Sequence, residues 1–139
     1  MTASLDRDRP LRVLVVDADE RVRESLAGLL GIGRRCIVVG TAGRPEAALE
    51  LIAADPPDVI VLDPRLPEVD SGQAFIARAR ELSPSVRVLV MGWSDSLEHE
   101  ALANGADAFL RKTFRPRELV DAVCAAGGRP TNLSGGVPC

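Results

Sequence analysis

Charged side chains that stand directly after short apolar runs are the residues of this sequence best placed to carry chemistry. They are Asp17, Asp19, Asp63 and Lys112. Carboxylates can act as nucleophiles, as proton acceptors or as ligands of a hard divalent cation, and a lysine supplies a compact positive charge. The chemistry that the sequence offers is therefore that of carboxylates and an ammonium group.

The composition of the 139-residue chain argues against several other kinds of site. It has a single histidine and three cysteines without a C-x-x-C pair, which is a poor supply for a zinc site. Aromatic residues make up 3%, too few for a platform that stacks nucleobases, and the net charge of −3 gives no basic footprint. We therefore expect this chain not to bind nucleic acid.

The two ends of the chain differ in composition from its middle. Residues 1–10 carry aspartates and arginines but no apolar core of a signal peptide, and no apolar run approaches the length of a membrane span. Residues 127–139 are rich in glycine and proline. We expect a cytoplasmic protein without membrane contact, with an N-terminal arm at 1–10, one domain at 11–126, and a flexible tail or truncated linker at 127–139.

Five short apolar runs recur at fairly even intervals, at 13–16, 37–39, 59–62, 88–91 and 108–110. Runs that are apolar on both faces and rich in β-branched residues are typical of buried strands in a parallel sheet. The segments between them repeat apolar residues at helical spacing and begin or end at glycine or proline. This alternation predicts a flavodoxin-like, doubly wound (βα)5 fold with a five-stranded parallel sheet in the order 2-1-3-4-5.

The predicted sheet brings the charged residues to one edge. In open parallel sheets, ligands bind outside the carboxyl ends of the strands, at the point where the strand order reverses. For this order the reversal lies between the first and third strands, which places Asp17 opposite Asp63. Lys112 follows the fifth strand at the same edge. The sequence therefore predicts that two carboxylates and one lysine converge there.

Three segments resemble the receiver domain of response regulators, the chemotaxis-regulator-like family. They are VVD at 15–17, VLDPRLP at 61–67 and GADAFLRK at 105–112. Several motifs in the family's order are far more specific than one short pattern. The resemblance covers residues 11–126.

The resemblance implies a role for each charged residue. Asp63 would be the phosphoacceptor, taking a phosphoryl group from a phosphohistidine on a sensor histidine kinase or a phosphotransfer protein. Lys112 would contact the phosphoryl oxygens, and Mg²⁺ would be held by Asp17, Asp63 and the backbone carbonyl of Arg65. An output partner would bind the face formed by the fourth helix, the fifth strand and the fifth helix. The resemblance implies that the domain is not an enzyme, apart from weak dephosphorylation of itself. It leaves open whether the chain forms a homodimer.

Ala18 departs from the family pattern at the metal site. The family has a second acidic residue at this position, so we expect Mg²⁺ to bind only weakly. Asp19 could reach in as a substitute ligand. Its alternative role is the N-cap of the first helix, which the following apolar stretch favours.

Further departures lie at the positions that couple phosphorylation to the output. Gly92 stands where the family has Thr or Ser, and Thr113 stands where a proline follows the lysine. The loop from Pro67 to Gly72 is one residue longer than the common form. Phe109 holds the position of the family's switching aromatic residue, but a core aromatic is the favoured reading.

Alternative functions follow from the same residues. Position 18 lacks the family's carboxylate, and position 92 lacks its hydroxyl. The domain could therefore be a pseudo-receiver, an interaction module that works without phosphorylation. The spacing of Asp17 and Asp19 also resembles the D-x-D motif of haloacid-dehalogenase-type phosphatases, although the further acidic pair of that family is missing. Trp93 could pack over the site or line a partner surface, and the sequence leaves both open.

Overall fold

The computed structural model describes residues 9–65 and 72–128, and in this part of the chain strands and helices alternate. The strands are β1 (Leu11–Val16), β2 (Cys36–Ala42), β3 (Val59–Leu62), β4 (Arg87–Gly92) and β5 (Ala108–Arg111). The helices are α1 (Glu20–Leu30), α2 (Pro45–Ala54), α3 (Gly72–Leu82), α4 (Glu98–Ala103) and α5 (Pro116–Ala126). Each predicted apolar run forms a strand.

The five strands form one sheet in the order β2-β1-β3-β4-β5, and every neighbouring pair is parallel. This confirms the predicted doubly wound flavodoxin-like fold. Val16 pairs with Leu62 at the ends of β1 and β3, so the residues that follow them leave the sheet side by side. The amide of Asp63 donates to the carbonyl of Val16 at 2.9 Å, which continues the ladder past the strands.

Both faces of the sheet are covered, which explains why the strands are apolar on both sides. On one face, side chains such as Leu14 and Val16 join buried residues of α2, α3 and α4. On the other face, Val13 and Val15 join buried residues of α1 and α5. Burial of these side chains supplies the main free energy that holds the charged edge in place.

The helix ends match the local signals in the sequence. Asp19 is the N-cap of α1, where its Oδ1 accepts hydrogen bonds from the amides of Arg21 and Val22. Pro45 and Pro116 open α2 and α5, at positions where a missing N–H costs nothing. The N-cap interpretation of Asp19 is thereby confirmed.

Several predictions fall outside the described residues. The N-terminal arm is described only for residues 9 and 10, and the tail only for 127 and 128. The long loop after Arg65, including Pro67, also lies outside them, up to residue 71. Among the described residues, no helix has both the length and the apolar character needed to cross a membrane.

Candidate functional site

Lys112 joins two buried carboxylates at the edge where the strand order reverses. Its Nζ lies 2.8 Å from Oδ2 of Asp17 and 2.9 Å from Oδ2 of Asp63. The three side chains are 2%, 3% and 6% exposed, respectively. Lys112 reaches this place because its amide donates to the carbonyl of Gly92, which extends the pairing of β4 with β5. The structure thus brings together the three residues predicted to converge.

The second oxygen of each carboxylate accepts a hydrogen bond from the backbone. Oδ1 of Asp17 accepts from the amide of Asp19, and Oδ1 of Asp63 accepts from the amide of Arg65, each at 2.9 Å. Both are turns in which an aspartate bonds the amide two residues later. Each carboxylate is therefore held through Oδ2 by Lys112, which follows β5, and through Oδ1 by the amide of its own turn.

The charged form of Asp63 is stabilised despite its burial. Burial raises the pKa of Asp63, whereas the hydrogen bond from the amide of Arg65 and the ammonium of Lys112 lower that pKa. The guanidinium of Arg65, 3.7 Å from Oδ1 of Asp63, lowers it further. The net pKa lies below the usual value for aspartate. Asp63 is consequently a carboxylate at neutral pH, as a nucleophile must be.

These groups line a cavity of about 300 Å³. Its lining consists of Asp17, Ala18, Asp19, Val22, Asp63, Arg65, Trp93 and Lys112. The volume is sufficient for a small anionic group, and the lining combines charged side chains with apolar ones.

The loop between β1 and α1 offers few side-chain oxygen atoms to a metal. Ala18 has none, and Oδ1 of Asp19 is engaged as the helix cap. The guanidinium of Arg23 donates to the carbonyls of Asp17 and Ala18 at 2.8 and 3.3 Å. The sequence reading missed this arginine, because a charged residue on an exposed helix turn gives no signal of its contacts.

The donor set is compatible with Mg²⁺, although it is sparse. Asp17 and Asp63 offer hard oxygen atoms at the cavity, and a carboxylate oxygen that accepts one hydrogen bond keeps a second lone pair. Mg²⁺ is typically bound by one or two carboxylates and several waters. Within residues 9–65 and 72–128, no group of three or more His, Cys, Asp or Glu side chains is arranged for a metal.

Apolar side chains fill the space beside Gly92. A Cβ atom at this position would lie 2.7 Å from Cδ1 of Leu97 and 3.4 Å from Cε1 of Phe109. Phe109 is partly buried and packs against the core on the α2–α4 face. Ser94 does not take the place of the missing hydroxyl, because its Oγ caps the short 3₁₀ helix at Asp95–Leu97 and bonds the Ser96 hydroxyl at 2.8 Å.

Two aromatic rings lie at the open side of the site. The ring of Trp93 has its centroid 4.9 Å from Nζ of Lys112, and Phe114 is tilted against it with ring centroids 6.3 Å apart. The structure places Trp93 on the wall of the site, which was one of its two predicted locations. The hydroxyl of Thr113 accepts a hydrogen bond from the amide of Arg115 at 3.1 Å, just before α5.

Comparison with known proteins identifies the same family along the chain. The family model of the response regulator receiver domain matches residues 13–124. The response regulator MprA of Mycolicibacterium vanbaalenii is 37% identical over 124 residues, which cover 88% of this chain and 52% of that protein. The transcriptional regulatory protein NarL of Mycobacterium tuberculosis is 39% identical over 120 residues, which cover 84% of this chain and 56% of that protein. This chain thus spans about half the length of these relatives.

Solved structures agree with this result. The signal receiver domain of NarL from Mycobacterium tuberculosis superposes with a TM-score of 0.77 and 35% identity, over 86% of this chain and 98% of that chain. The response regulator domain of CheB from Thermotoga maritima gives a TM-score of 0.76 and 28% identity, again over 86% and 98%. The sequence match and the fold therefore point to one family.

Proposed function

Because this chain belongs to the response regulator receiver domain family, we propose that it accepts a phosphoryl group on Asp63. The observation that carries the proposal is the ammonium of Lys112, which is buried between the carboxylates of Asp17 and Asp63. A buried cation that joins two carboxylates on separate strands is costly as a structural element. It is well suited to hold a nucleophile in its charged form and to neutralise an incoming phosphoryl group.

The chemical step requires an oxygen nucleophile, a leaving group and charge neutralisation. A carboxylate oxygen of Asp63 attacks the phosphorus of a phosphohistidine, the new O–P bond forms, and the P–N bond breaks with its electron pair left on the imidazole. Lys112 stabilises the phosphoryl oxygens, and its Coulomb attraction is large because the ammonium is almost fully buried. Asp17 helps to hold Lys112 in place from the opposite side.

Mg²⁺ fits the same place as an additional source of positive charge. We assign its protein ligands as Asp17, Asp63 and the backbone carbonyl of Arg65, with Asp19 as a further candidate because it lines the cavity. When bound, the ion supplies neutralisation of the phosphoryl oxygens. Ala18 makes this binding weak, because the carboxylate that would strengthen it is missing.

The partners that we propose are those typical of the receiver domain family. The phosphodonor is a sensor histidine kinase or a phosphotransfer protein in the cytoplasm, and the output partner contacts the face of α4, β5 and α5. This face also offers a place for a second copy of the chain. The domain is a signalling module that turns over no external substrate, and its only reaction with water is slow hydrolysis of its own acyl phosphate.

A phosphodonor assay tests the acceptor assignment. The chain is incubated with phosphoramidate and Mg²⁺, and the intact mass is measured for the wild type, Asp63→Asn and Asp95→Asn. Asp95 is the matched control, since its carboxylate is exposed and lies outside the cavity lining. We expect one phosphoryl group on the wild type and on Asp95→Asn, and none on Asp63→Asn. An adduct on Asp63→Asn, or none on the wild type, contradicts the proposal.

The packing beside Gly92 favours a second candidate, an interaction module whose output does not respond to phosphorylation. A Cβ atom at position 92 would lie against Leu97 and Phe109, and this packing supports a domain without the family's usual link between acceptor and output face. Backbone NMR spectra before and after phosphorylation decide between the two. Chemical-shift changes confined to the loops around Asp63 favour the module, and changes that extend through α4, β5 and α5 favour a working switch.

A further inference from the structure

We propose that Trp93 is a positioning residue of the phosphoryl site, which holds the Lys112 ammonium and keeps water from the acyl phosphate on Asp63. The inference rests on the proposed function of Asp63 and concerns how long the phosphoryl group persists there. Trp93 has no counterpart among the residues that the family resemblance assigned. It is the only tryptophan in the chain, which gives it a spectroscopic signal of its own.

Among the described residues, the ring of Trp93 is a third partner of the Lys112 ammonium. An ammonium group has three N–H donors, and Lys112 uses two of them on Asp17 and Asp63. The ring centroid at 4.9 Å lies within the range of a cation–π interaction. Such an interaction is stronger when the cation is withdrawn from water, and the Lys112 side chain is 2% exposed.

The ring is anchored from two directions. Gly92, the residue before Trp93, accepts a hydrogen bond from the amide of Lys112 at 2.8 Å, so the backbones of the two partners are linked. Phe114 packs on the ring at a tilt of 45°. Trp93 and Phe114 remain 46% and 47% exposed, so Trp93 borders solvent as well as the cavity. This is the position of a partial cover between water and Asp63.

The position of the cover has a defined chemical consequence. Hydrolysis of the acyl phosphate needs a water oxygen that attacks phosphorus while the O–P bond to Asp63 breaks and inorganic phosphate leaves. A side chain that narrows the access of water to the phosphorus atom slows this step. Removal of the ring therefore shortens the lifetime of the phosphorylated state.

The kinetic test compares four proteins: the wild type, Trp93→Ala, Trp93→Phe and Phe114→Ala. Each is phosphorylated with phosphoramidate and Mg²⁺, the donor is removed, and the loss of the adduct is followed by intact mass. We expect Trp93→Ala to lose the adduct about fivefold faster. Trp93→Phe keeps an aromatic face and should stay near the wild-type rate. Phe114→Ala removes a ring that packs on Trp93 but does not line the cavity, so it should speed the loss by less than about twofold.

A second readout does not depend on phosphorylation. NMR spectra of the side-chain ammonium groups report how fast Lys112 exchanges its protons with water. We expect a protected Lys112 signal in the wild type and in Trp93→Phe, and a loss of protection in Trp93→Ala. If the variants acted only by damaging the structure, the protection of the Lys112 signal would fall in Trp93→Ala and in Trp93→Phe in proportion to their loss of stability. Protection that Trp93→Phe retains would show that the aromatic face is the group that holds Lys112.

The two readouts separate failure of this inference from failure of the acceptor assignment. If the wild type takes no adduct, the acceptor assignment fails, and Trp93 is judged on the Lys112 signal alone. If the wild type is phosphorylated and Trp93→Ala hydrolyses at the wild-type rate, the inference about Trp93 is overturned. A Lys112 signal that Trp93→Ala leaves unchanged overturns it as well.

Discussion

Two halves of one sheet edge differ in what they keep of the family's pattern. The acceptor half keeps Asp17, Asp63 and Lys112, which are buried and paired, and lacks only the acidic residue at position 18. In the coupling half, Gly92 has no side chain and Leu97 stands where one would be. A buried charge cannot be removed alone, because its partners are then left unpaired at a high cost. A single hydroxyl can be replaced by apolar packing at little cost, so the two halves can be lost independently.

The largest effect is expected where the acceptor half is broken. Lys112→Met leaves the carboxylates of Asp17 and Asp63 buried without their shared cation. We expect the free energy of unfolding in urea at pH 7 to fall by about 3 kcal/mol. The matched control is Arg111→Met, whose side chain is exposed and pairs loosely with Asp95. It should change stability by less than about 0.5 kcal/mol. If both variants lost the same free energy of unfolding, the buried charges would contribute no more to stability than an exposed ion pair.

The pH dependence of stability sharpens the same point. The folded pKa of Asp63 is lowered, since burial, which raises it, is outweighed by the Arg65 amide together with the charges of Lys112 and Arg65. The stability that Asp63 contributes is therefore present above its unfolded pKa of about 3.9 and is lost as the pH falls through the folded pKa. A carbon-13 NMR titration should place the Asp63 pKa below that value in the wild type and higher in Lys112→Met. A wild-type pKa above the unfolded value would contradict this assignment.

Restoring a carboxylate at position 18 tests whether the acceptor half lacks a metal ligand. Ala18→Asp adds a hard, charged oxygen to the loop that already carries Asp17. We expect the affinity for Mg²⁺, followed by the emission of Trp93, to rise about tenfold, which corresponds to about 1.4 kcal/mol. Ala18→Asn is the control that adds an oxygen without a charge. An affinity that both variants leave unchanged would place the metal site elsewhere.

The smallest effect is expected in the coupling half. Gly92→Ala should lower stability by at most about 1 kcal/mol, because the new methyl group meets Cδ1 of Leu97, the movable end of a partly buried side chain. In a Leu97→Ala background the loss should disappear, which a double-mutant cycle measures. Gly28→Ala is the control, since nothing lies within 4 Å of its Cβ, and it should stabilise α1 by up to about 1 kcal/mol. Loss of stability at Gly92 that persists without Leu97 would refute the packing argument.

The sequence was sufficient to predict that Asp17, Asp63 and Lys112 converge at one edge of the sheet. Apolar runs of β-branched residues identify the strands, and the strand order then determines which residues leave the sheet together. Asp17, Asp63 and Lys112 are fixed by backbone pairing, with the amides of Asp63 and Lys112 bonded across to neighbouring strands. Residue positions that the backbone sets can be deduced from the spacing of the strands along the sequence. For this reason the meeting of Asp17, Asp63 and Lys112 was predictable.

The rest of the site depends on side-chain conformation, which spacing does not determine. Arg65 was expected to matter only through its carbonyl, yet its guanidinium lies 3.7 Å from Asp63. The contact of Phe114 with Trp93 and the filling of the space beside Gly92 by Leu97 also gave no sequence signal. Long or aromatic side chains at loop positions have several rotamers, and packing against distant residues selects among them.

The central claim is that Asp63 is the phosphoacceptor, and chemical trapping tests it most directly. Borohydride reduces an aspartyl phosphate to homoserine, so peptide mass mapping after treatment with phosphoramidate, Mg²⁺ and borohydride locates the modified residue. We predict homoserine at position 63 and an unmodified Asp17. Homoserine at another position, or at none while the protein stays folded, would contradict the claim.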